Sequence, residues 1–193
     1  MKRKNMAVGI AVLALGLIAL SSIIFFAVTV WRTEPQLFEN NKRSVGKELY
    51  GKVTAADLDN AYPATPEEVM ELYLSILRLQ YGKIVVDEDL TRQLVTIQRK
   101  LYSDELLAAN TEEAQYNELA RATAKLYENN IVLAQAIRSG VVFPPAQPSL
   151  CYFTVQQINS GYGTTLWEYY LQKDADGNWK LHSWDMVAES SGE

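Results

Sequence analysis

The feature that most constrains this chain is an uncharged apolar run close to its start. Residues 6–31 follow three basic residues at positions 2–4 and end at Trp31. A membrane-spanning helix needs about 20 apolar residues, and tryptophan concentrates where such a helix leaves the bilayer. We therefore predict that residues 6–31 form a transmembrane anchor.

A cleaved signal peptide is the alternative interpretation of this run. Its apolar core is usually about 7–15 residues long and is followed by small residues at the cleavage site. The run here is longer, and Ala27-Val28-Thr29 is a poor cleavage site. Because basic residues concentrate on the cytoplasmic side of a span, we predict a single-pass cell-membrane protein with a cytoplasmic N-terminus.

The rest of the chain divides by composition into a basic head (1–5), the anchor (6–31), a stalk (32–61), an extracytoplasmic domain (62–188) and a polar tail (189–193). The stalk is polar and shows no sustained hydrophobic period, which is typical of a partly disordered linker. Within it, 53–58 could form a short strand or turn against the domain. The domain is long enough to bury a core of its own.

Charge and cysteine content exclude several classes of function. The chain carries −5, the head contributes +3 and residues 32–64 contribute zero, so residues 65–193 carry −8. An acidic domain is not expected to bind nucleic acid through its charge. Cys151 is the single cysteine, so neither an internal disulfide nor a cysteine-rich metal site can form. We predict no metal and no cofactor.

Capping signals predict four helices at the start of the domain. Thr65, Pro66 and Glu68 form a capping box with proline at the first helical position, and this helix is expected to end at Tyr81-Gly82. Further N-caps are predicted at Asp87, Ser103 and Thr111. The last helix is expected to run to Ser139-Gly140, with a bend or break at Asn129-Asn130.

The remaining residues predict antiparallel strands. Leu150–Gln157, Thr164–Lys173 and Trp179–Val187 are rich in β-formers and are separated by turn residues, and 141–143 predicts a short strand cut by prolines. Helices followed by a meander indicate an α+β fold. By alternation, we expect one face to pack on the helices through Phe153, Val155, Trp167, Tyr169 and Leu171.

The end of the chain resembles the nuclear-transport-factor-2-like (cystatin-like) superfamily, whose domains often finish with a strand, an Asp-Gly turn and Trp-Lys. Here these are residues 166–173, Asp176-Gly177 and Trp179-Lys180. Together with the predicted helix starts at Thr65–Val69 and Ser103–Leu107, this ending also resembles an uncharacterised family of anchored proteins from Gram-positive bacteria. The resemblance implies helices on a curved antiparallel sheet with a pocket between them. It implies no catalytic residues.

Few residues are candidates for catalysis. His182, the single histidine, would serve as a general base if Glu168 or Asp185 oriented it in a pocket. A half-exposed strand histidine is the interpretation we favour. Ser183 is not expected to pair with His182, because neighbouring residues on a strand point to opposite faces.

Aromatic residues are better candidates for binding. Tyr152, Tyr170 and Trp184, with Tyr162, could line a concavity of the sheet that suits a protein partner or a small ligand. Ordinary packing of the sheet, with the hydroxyls at its rim, is the interpretation we favour for these residues. Cys151 is interpreted as a small core residue.

Residues 174–178 place Asp174, Asp176 and Asn178 as in a calcium loop, but Gly177 stands at the wrong position, so we predict a hairpin turn. Gly161-Tyr162-Gly163 is not expected to hold phosphate, because it opens no helix.

The sequence therefore predicts a membrane-anchored, extracytoplasmic binding module without enzymatic activity. Two alternatives stay open. One is an enzyme of the same fold that uses His182 in the pocket. The other is an assembly subunit of an envelope complex, in which the anchor itself makes contacts.

Overall fold

A computed structural model describes residues 46–84 and 87–191. The predicted head and anchor, the first part of the predicted stalk and residues 192–193 lie outside the described residues. Within the described ranges, no helix combines the length and the apolar character needed to cross a bilayer.

Five helices precede the sheet within the described ranges. Helix α1 covers residues 46–54 and is followed by α2 (Pro66–Tyr81), α3 (Glu88–Arg99), α4 (Asp104–Ala109) and α5 (Glu112–Glu128). The four predicted caps are confirmed. The Thr65 hydroxyl accepts from the Glu68 amide at 3.2 Å, and the Glu68 carboxylate accepts from the Thr65 amide at 3.1 Å. The N-cap side chains of α3, α4 and α5 each accept from the amide three residues further on.

Four strands form one antiparallel sheet in chain order: β1 (Val132–Arg138), β2 (Leu150–Ser160), β3 (Gly163–Lys173) and β4 (Trp179–Ser191). The predicted α+β class is confirmed. The predicted strand at 141–143 is reduced to one bridge between Val142 and Tyr152, and two successive turns follow at Pro144–Gln147 and Gln147–Leu150.

The prediction that the last helix continues to residue 139 was wrong. Helix α5 ends at Glu128, and Asn130 adopts a left-handed φ of 57°. Asparagine tolerates this conformation better than most residues, and it turns the chain so that β1 pairs with β2 from Val132 onward. The apolar residues Ile131, Ala134 and Ile137 fit a helical stripe, yet they lie at the start of β1 and within it.

The structure also differs from the predicted stalk and tail. Within the predicted stalk, Val53 of α1 is fully buried and Leu58 is 8% exposed, and both belong to the main core. A segment that buries apolar side chains is part of the folded unit rather than a linker. At the other end, the backbone of 189–191 continues β4, since Glu189 pairs with Thr165.

Helix α2 and one face of the sheet form the centre of the core. Most of α2 from Val69 to Gln80 is buried, and it shares one cluster with the five strand residues predicted to face the helices, which are all buried: Phe153, Val155, Trp167, Tyr169 and Leu171. Because side chains alternate along a strand, the residues between them point away from the helices. We call this second surface the outer face.

Candidate binding face of the sheet

The outer face is built from cross-strand pairs on β2, β3 and β4. Tyr152 pairs with Tyr170, which in turn pairs with Ser183, and Glu168 pairs with Asp185. The core cluster and the side chains packed against it include neither Tyr152 nor Tyr170. The described helices therefore leave this surface uncovered.

An aromatic pair marks one row of the outer face. The rings of Tyr152 and Tyr170 lie 5.7 Å apart between centroids, with an interplanar angle of 36°. Both residues are partly exposed. Two adjacent rings offer a rigid amphipathic surface that loses little conformational entropy on binding.

Tyr170 is held as a hydrogen-bond donor to a carboxylate. Its hydroxyl donates to Glu168, which lies two residues earlier on the same strand face. This hydrogen bond, then burial, then the negative charges of Glu168 and Asp185 raise the pKa of Tyr170 to about 12. The hydroxyl therefore stays neutral at physiological pH and leaves the other carboxylate lone pairs free to accept.

Two carboxylates stand side by side in the next row. Glu168 and Asp185 are direct partners in the β3–β4 register, so their Cβ atoms lie about 5 Å apart. Among the ion pairs of the described residues, none involves either carboxylate. The outer face thus carries two neighbouring negative charges that no described basic side chain neutralises.

Apolar side chains flank this carboxylate row on both sides. Val142, 41% exposed, bridges Tyr152 on one side. On the other side Ile137, 49% exposed, pairs with Gln156, which pairs with Leu166. The outer face therefore combines apolar rows with a negative centre.

Trp184, which we grouped with these tyrosines from the sequence, lies on the opposite side of the sheet. It pairs with Tyr169, and its ring packs 6.4 Å from that of Tyr169 and 6.2 Å from that of Tyr102. A register irregularity between Tyr170 and Leu171 places His182 as an extra residue on β4. Tyr162 also lies elsewhere, packed against Leu126 and Ile131.

His182 contacts neither of the carboxylates proposed to orient it. Its Nδ1 atom lies 3.5 Å from the Ser103 hydroxyl and 3.8 Å from the Glu105 carboxylate. A serine–histidine–carboxylate triad needs the serine and the carboxylate on different ring nitrogens, whereas here both approach the same one. Ser103 also caps α4 by accepting from the Leu106 amide at 3.4 Å.

Aromatic rings pack between α2 and the sheet, where the resemblance implied a pocket. The Tyr73 ring lies 5.6 Å from that of Tyr169 and 6.3 Å from that of Tyr102. Burial raises the pKa of all three hydroxyls. These tyrosines are therefore neutral packing groups at physiological pH.

Buried glutamines extend this interior. The Gln98 side-chain oxygen accepts from the amide groups of Gln80 at 3.1 Å and Gln115 at 3.0 Å. Gln115 also donates to the Tyr102 hydroxyl at 3.3 Å. One of these bonds joins α2 to α3 and the other joins α5 to α3, so Gln98 ties the three helices together.

A small cavity of about 250 Å³ lies between α3 and α5. The Arg92 guanidinium lies 3.7 Å from the centre of the Tyr116 ring and 2.8 Å from the Glu113 carboxylate. Hydrogen bonding to Glu113 raises the pKa of Arg92 and lowers that of Glu113. The chain's own cation therefore already occupies the aromatic and acidic groups of this cavity.

The remaining sequence candidates take structural roles. Cys151 is fully buried, and burial raises the pKa of its thiol to about 12, which confirms a core residue. Residues 174–178 form the predicted hairpin turn, in which the Asp174 carboxylate accepts from the Asp176 and Asn178 amides. Within the described ranges, no set of three or more acidic, histidine or cysteine side chains is arranged to hold a metal.

Sequence reasoning missed the opposition of Glu168 and Asp185 and the apolar rows beside them. Alternation along β3 does place Glu168 and Tyr170 on one side of the sheet, so the β3 part of the site could have been predicted from the sequence. The partner of Glu168 depends on the β3–β4 register, which two irregularities shift by one residue each. No local signal reports that register.

Comparison with known proteins gives one family match. The sequence profile described as "Domain of unknown function (DUF6715)" matches residues 1–142. The match includes all five helices and β1 and ends before β2, although β2, β3 and β4 contribute to the same core as α2. No curated protein matches the chain.

Proposed function

We propose a binding function for this chain, which belongs to the family described as a domain of unknown function (DUF6715). The folded part would be a module that docks a protein partner on its outer face. One observation carries the proposal: the face of the four-stranded sheet that the described helices leave uncovered presents the Tyr152–Tyr170 pair beside exposed apolar side chains. Aromatic residues are enriched where proteins bind one another.

A protein partner fits this surface better than a small ligand. Small-molecule sites are concave and bury most of their ligand, whereas the outer face is one side of an open sheet. The exposed apolar residues Ile137 of β1, 49% exposed, and Val142, 41% exposed and bridged to Tyr152 of β2, lie at separate places on this face. Such a distribution suits an extended contact area.

We further propose that the module is membrane-anchored through residues 6–31 and lies outside the cytoplasm. The length of the apolar run and the basic residues at positions 2–4 support this orientation. The module would be related to nuclear-transport-factor-2-like domains. Support for that relationship comes from the helices packed on one side of an antiparallel sheet and from the Asp176-Gly177 turn before Trp179.

The role is proposed to be non-enzymatic. The support is the arrangement around His182, whose Nδ1 atom faces both Ser103 and Glu105 while Glu168 hydrogen-bonds to Tyr170. Turnover of any substrate by the wild type that disappears in His182→Ala would overturn this part of the proposal.

Site-specific photocrosslinking tests the docking surface. A photoreactive phenylalanine analogue replaces Tyr152 in the full chain in its native membrane, and a matched variant carries it at Ala120, which is exposed on α5. We expect a discrete crosslinked protein from position 152 and none from position 120. Equal patterns from both positions would exclude the outer face as the docking surface.

Cysteine labelling tests the location. Because Cys151 is buried and its thiol pKa is raised, the wild type should react poorly with a maleimide. Asp176→Cys introduces a thiol in the exposed β3–β4 turn. Labelling of this variant in intact cells by a membrane-impermeant maleimide supports the proposed side of the membrane, and labelling only after lysis contradicts it.

A further inference from the structure

We infer that the docked partner is a protein segment that places a lysine or arginine side chain between Glu168 and Asp185. The inference rests on the proposed function, because it names the chemistry of the partner for that same outer face.

Glu168 and Asp185 are two negative charges that no described basic side chain balances. Like charges directly opposite each other on neighbouring strands destabilise a sheet, and Glu168 faces Asp185 in this way. The hydrogen bond from Tyr170 satisfies one acceptor site of Glu168 but brings no positive charge. A basic side chain would form charge-assisted hydrogen bonds with both carboxylates at once.

Tyrosine rings elsewhere in the chain pack against basic side chains. Lys180 Nζ lies 3.9 Å from the centre of the Tyr62 ring, and the Arg92 guanidinium lies 3.7 Å from that of Tyr116. Among the cation–ring contacts of the described residues, none involves Tyr152 or Tyr170. Their rings are therefore available to a cation supplied by a partner.

The same charges argue against other occupants. A second copy of the chain that docked face to face would bring four carboxylates together around the two-fold axis. An anionic membrane surface would meet the same repulsion. A basic protein segment is the occupant whose charge complements this face.

The rows of the outer face define the form of the segment. The aromatic row, the carboxylate row and the row of Gln156 and Leu166 follow one another at two-residue intervals along the strands, which is about 7 Å. An extended segment lying along the strands presents alternate side chains at the same interval. The basic residue would thus be flanked, two residues away on each side, by apolar residues.

Peptide binding to the full chain in lipid nanodiscs tests this inference. The probe is a fluorescent seven-residue peptide with a central lysine, valine two residues away on either side, and threonine elsewhere. A matched peptide carries glutamine instead of lysine. The protein variants are Glu168→Gln with Asp185→Asn, and a control with Glu128→Gln and Asp176→Asn, which removes two exposed carboxylates at the end of α5 and in the β3–β4 turn, outside the rows described above.

We expect the lysine peptide to bind about tenfold more tightly than the glutamine peptide, which matches one charge-assisted hydrogen bond. This difference in affinity between the two peptides should disappear when Glu168→Gln and Asp185→Asn are combined, and it should persist in the control variant. Thermal unfolding of both variants confirms that they fold. Equal affinity for the two peptides, an undiminished preference for lysine in the double variant, or no binding of the lysine peptide each overturns the inference.

Crosslinking separates failure of the inference from failure of the proposed function. If the partner crosslinks to position 152 equally well with and without Glu168→Gln and Asp185→Asn, the outer face is the docking surface but the carboxylates do not recognise the partner. If no partner crosslinks to position 152, both the proposed function and the inference fail.

Discussion

Glu168 and Asp185 face each other across β3 and β4 on the side of the sheet that the described helices leave uncovered, and the Tyr170 hydroxyl donates a hydrogen bond to Glu168. A pair of opposed carboxylates contributes nothing favourable to folding. A basic group of the proposed partner would relieve this repulsion on binding.

Removing one of these charges should stabilise the free protein. Asp185→Asn ends the repulsion while it preserves the Tyr170–Glu168 hydrogen bond, so we expect the free energy of unfolding to rise by a few tenths of a kcal/mol. Urea denaturation of the full chain at low ionic strength measures this change. The gain should shrink at high salt, which screens exposed charges. Asp176→Asn is the matched control, and an equal gain there would contradict the explanation.

Helix α1 should contribute to stability as part of the core. Val53→Ala removes two methyl groups from a fully buried site, and we expect a loss of about 1–3 kcal/mol in the free energy of unfolding. Gly51→Ala lies in the same helix, where an added Cβ meets open space, and should add up to about 1 kcal/mol. Chemical denaturation measures the free energy of unfolding of each variant, which should fall for Val53→Ala and rise for Gly51→Ala. If both variants behaved like wild type, α1 would not be docked in solution.

The glutamine cluster should be sensitive to loss of its shared acceptor. Gln98→Ala leaves the buried amide group of Gln80 and the partly buried amide group of Gln115 without that acceptor, so we expect destabilisation by about 2 kcal/mol or more. Gln93 on the same helix is exposed, and Gln93→Ala should change stability by less than about 0.5 kcal/mol. Thermal or urea unfolding of the pair provides the test, and equal losses would argue against a buried network.

Alkaline pH should unfold the protein through its buried tyrosines. Burial raises the pKa of Tyr73, Tyr102 and Tyr169 above the ordinary value of 10.0. The folded state therefore keeps protons that the unfolded state loses, so the contribution of these tyrosines to stability is constant below about pH 10 and falls as the pH rises further.

Urea midpoints between pH 8 and 11.5, read with tyrosinate absorbance, measure this loss of stability. Tyr73→Phe should make the decline shallower. A midpoint that stays constant up to pH 11.5 would contradict the burial of these hydroxyls.

Local chemistry made much of the helical layer predictable. The caps at Thr65, Asp87, Ser103 and Thr111 satisfy amides within three residues, so the information that specifies them is adjacent in sequence. The alternation that places Phe153 and Trp167 in the core is equally local. The family of unknown function was likewise expected from the sequence, at that coarse level.

Features that depend on distant pairing were not predictable. Residues 131–137 contain apolar side chains that fit either a helical or a strand period, and pairing with β2 decides the outcome. The side of the sheet on which Trp184 lies depends on the extra residue at His182, because a one-residue shift moves every later side chain to the other face. The burial of Val53 likewise requires the finished core.

Because α1 is part of the folded unit, the linker between that unit and the bilayer is shorter than the sequence predicted. If residues 6–31 cross the membrane as proposed, at most residues 32–45 separate the span from the folded unit, instead of residues 32–61. At about 3.4 Å per extended residue, the greatest reach of this linker falls from about 100 Å to about 50 Å. A partner within that radius meets the tethered module at a high effective concentration. A weak contact on the outer face would therefore be sufficient for a partner held in the same membrane, and insufficient for one that diffuses freely.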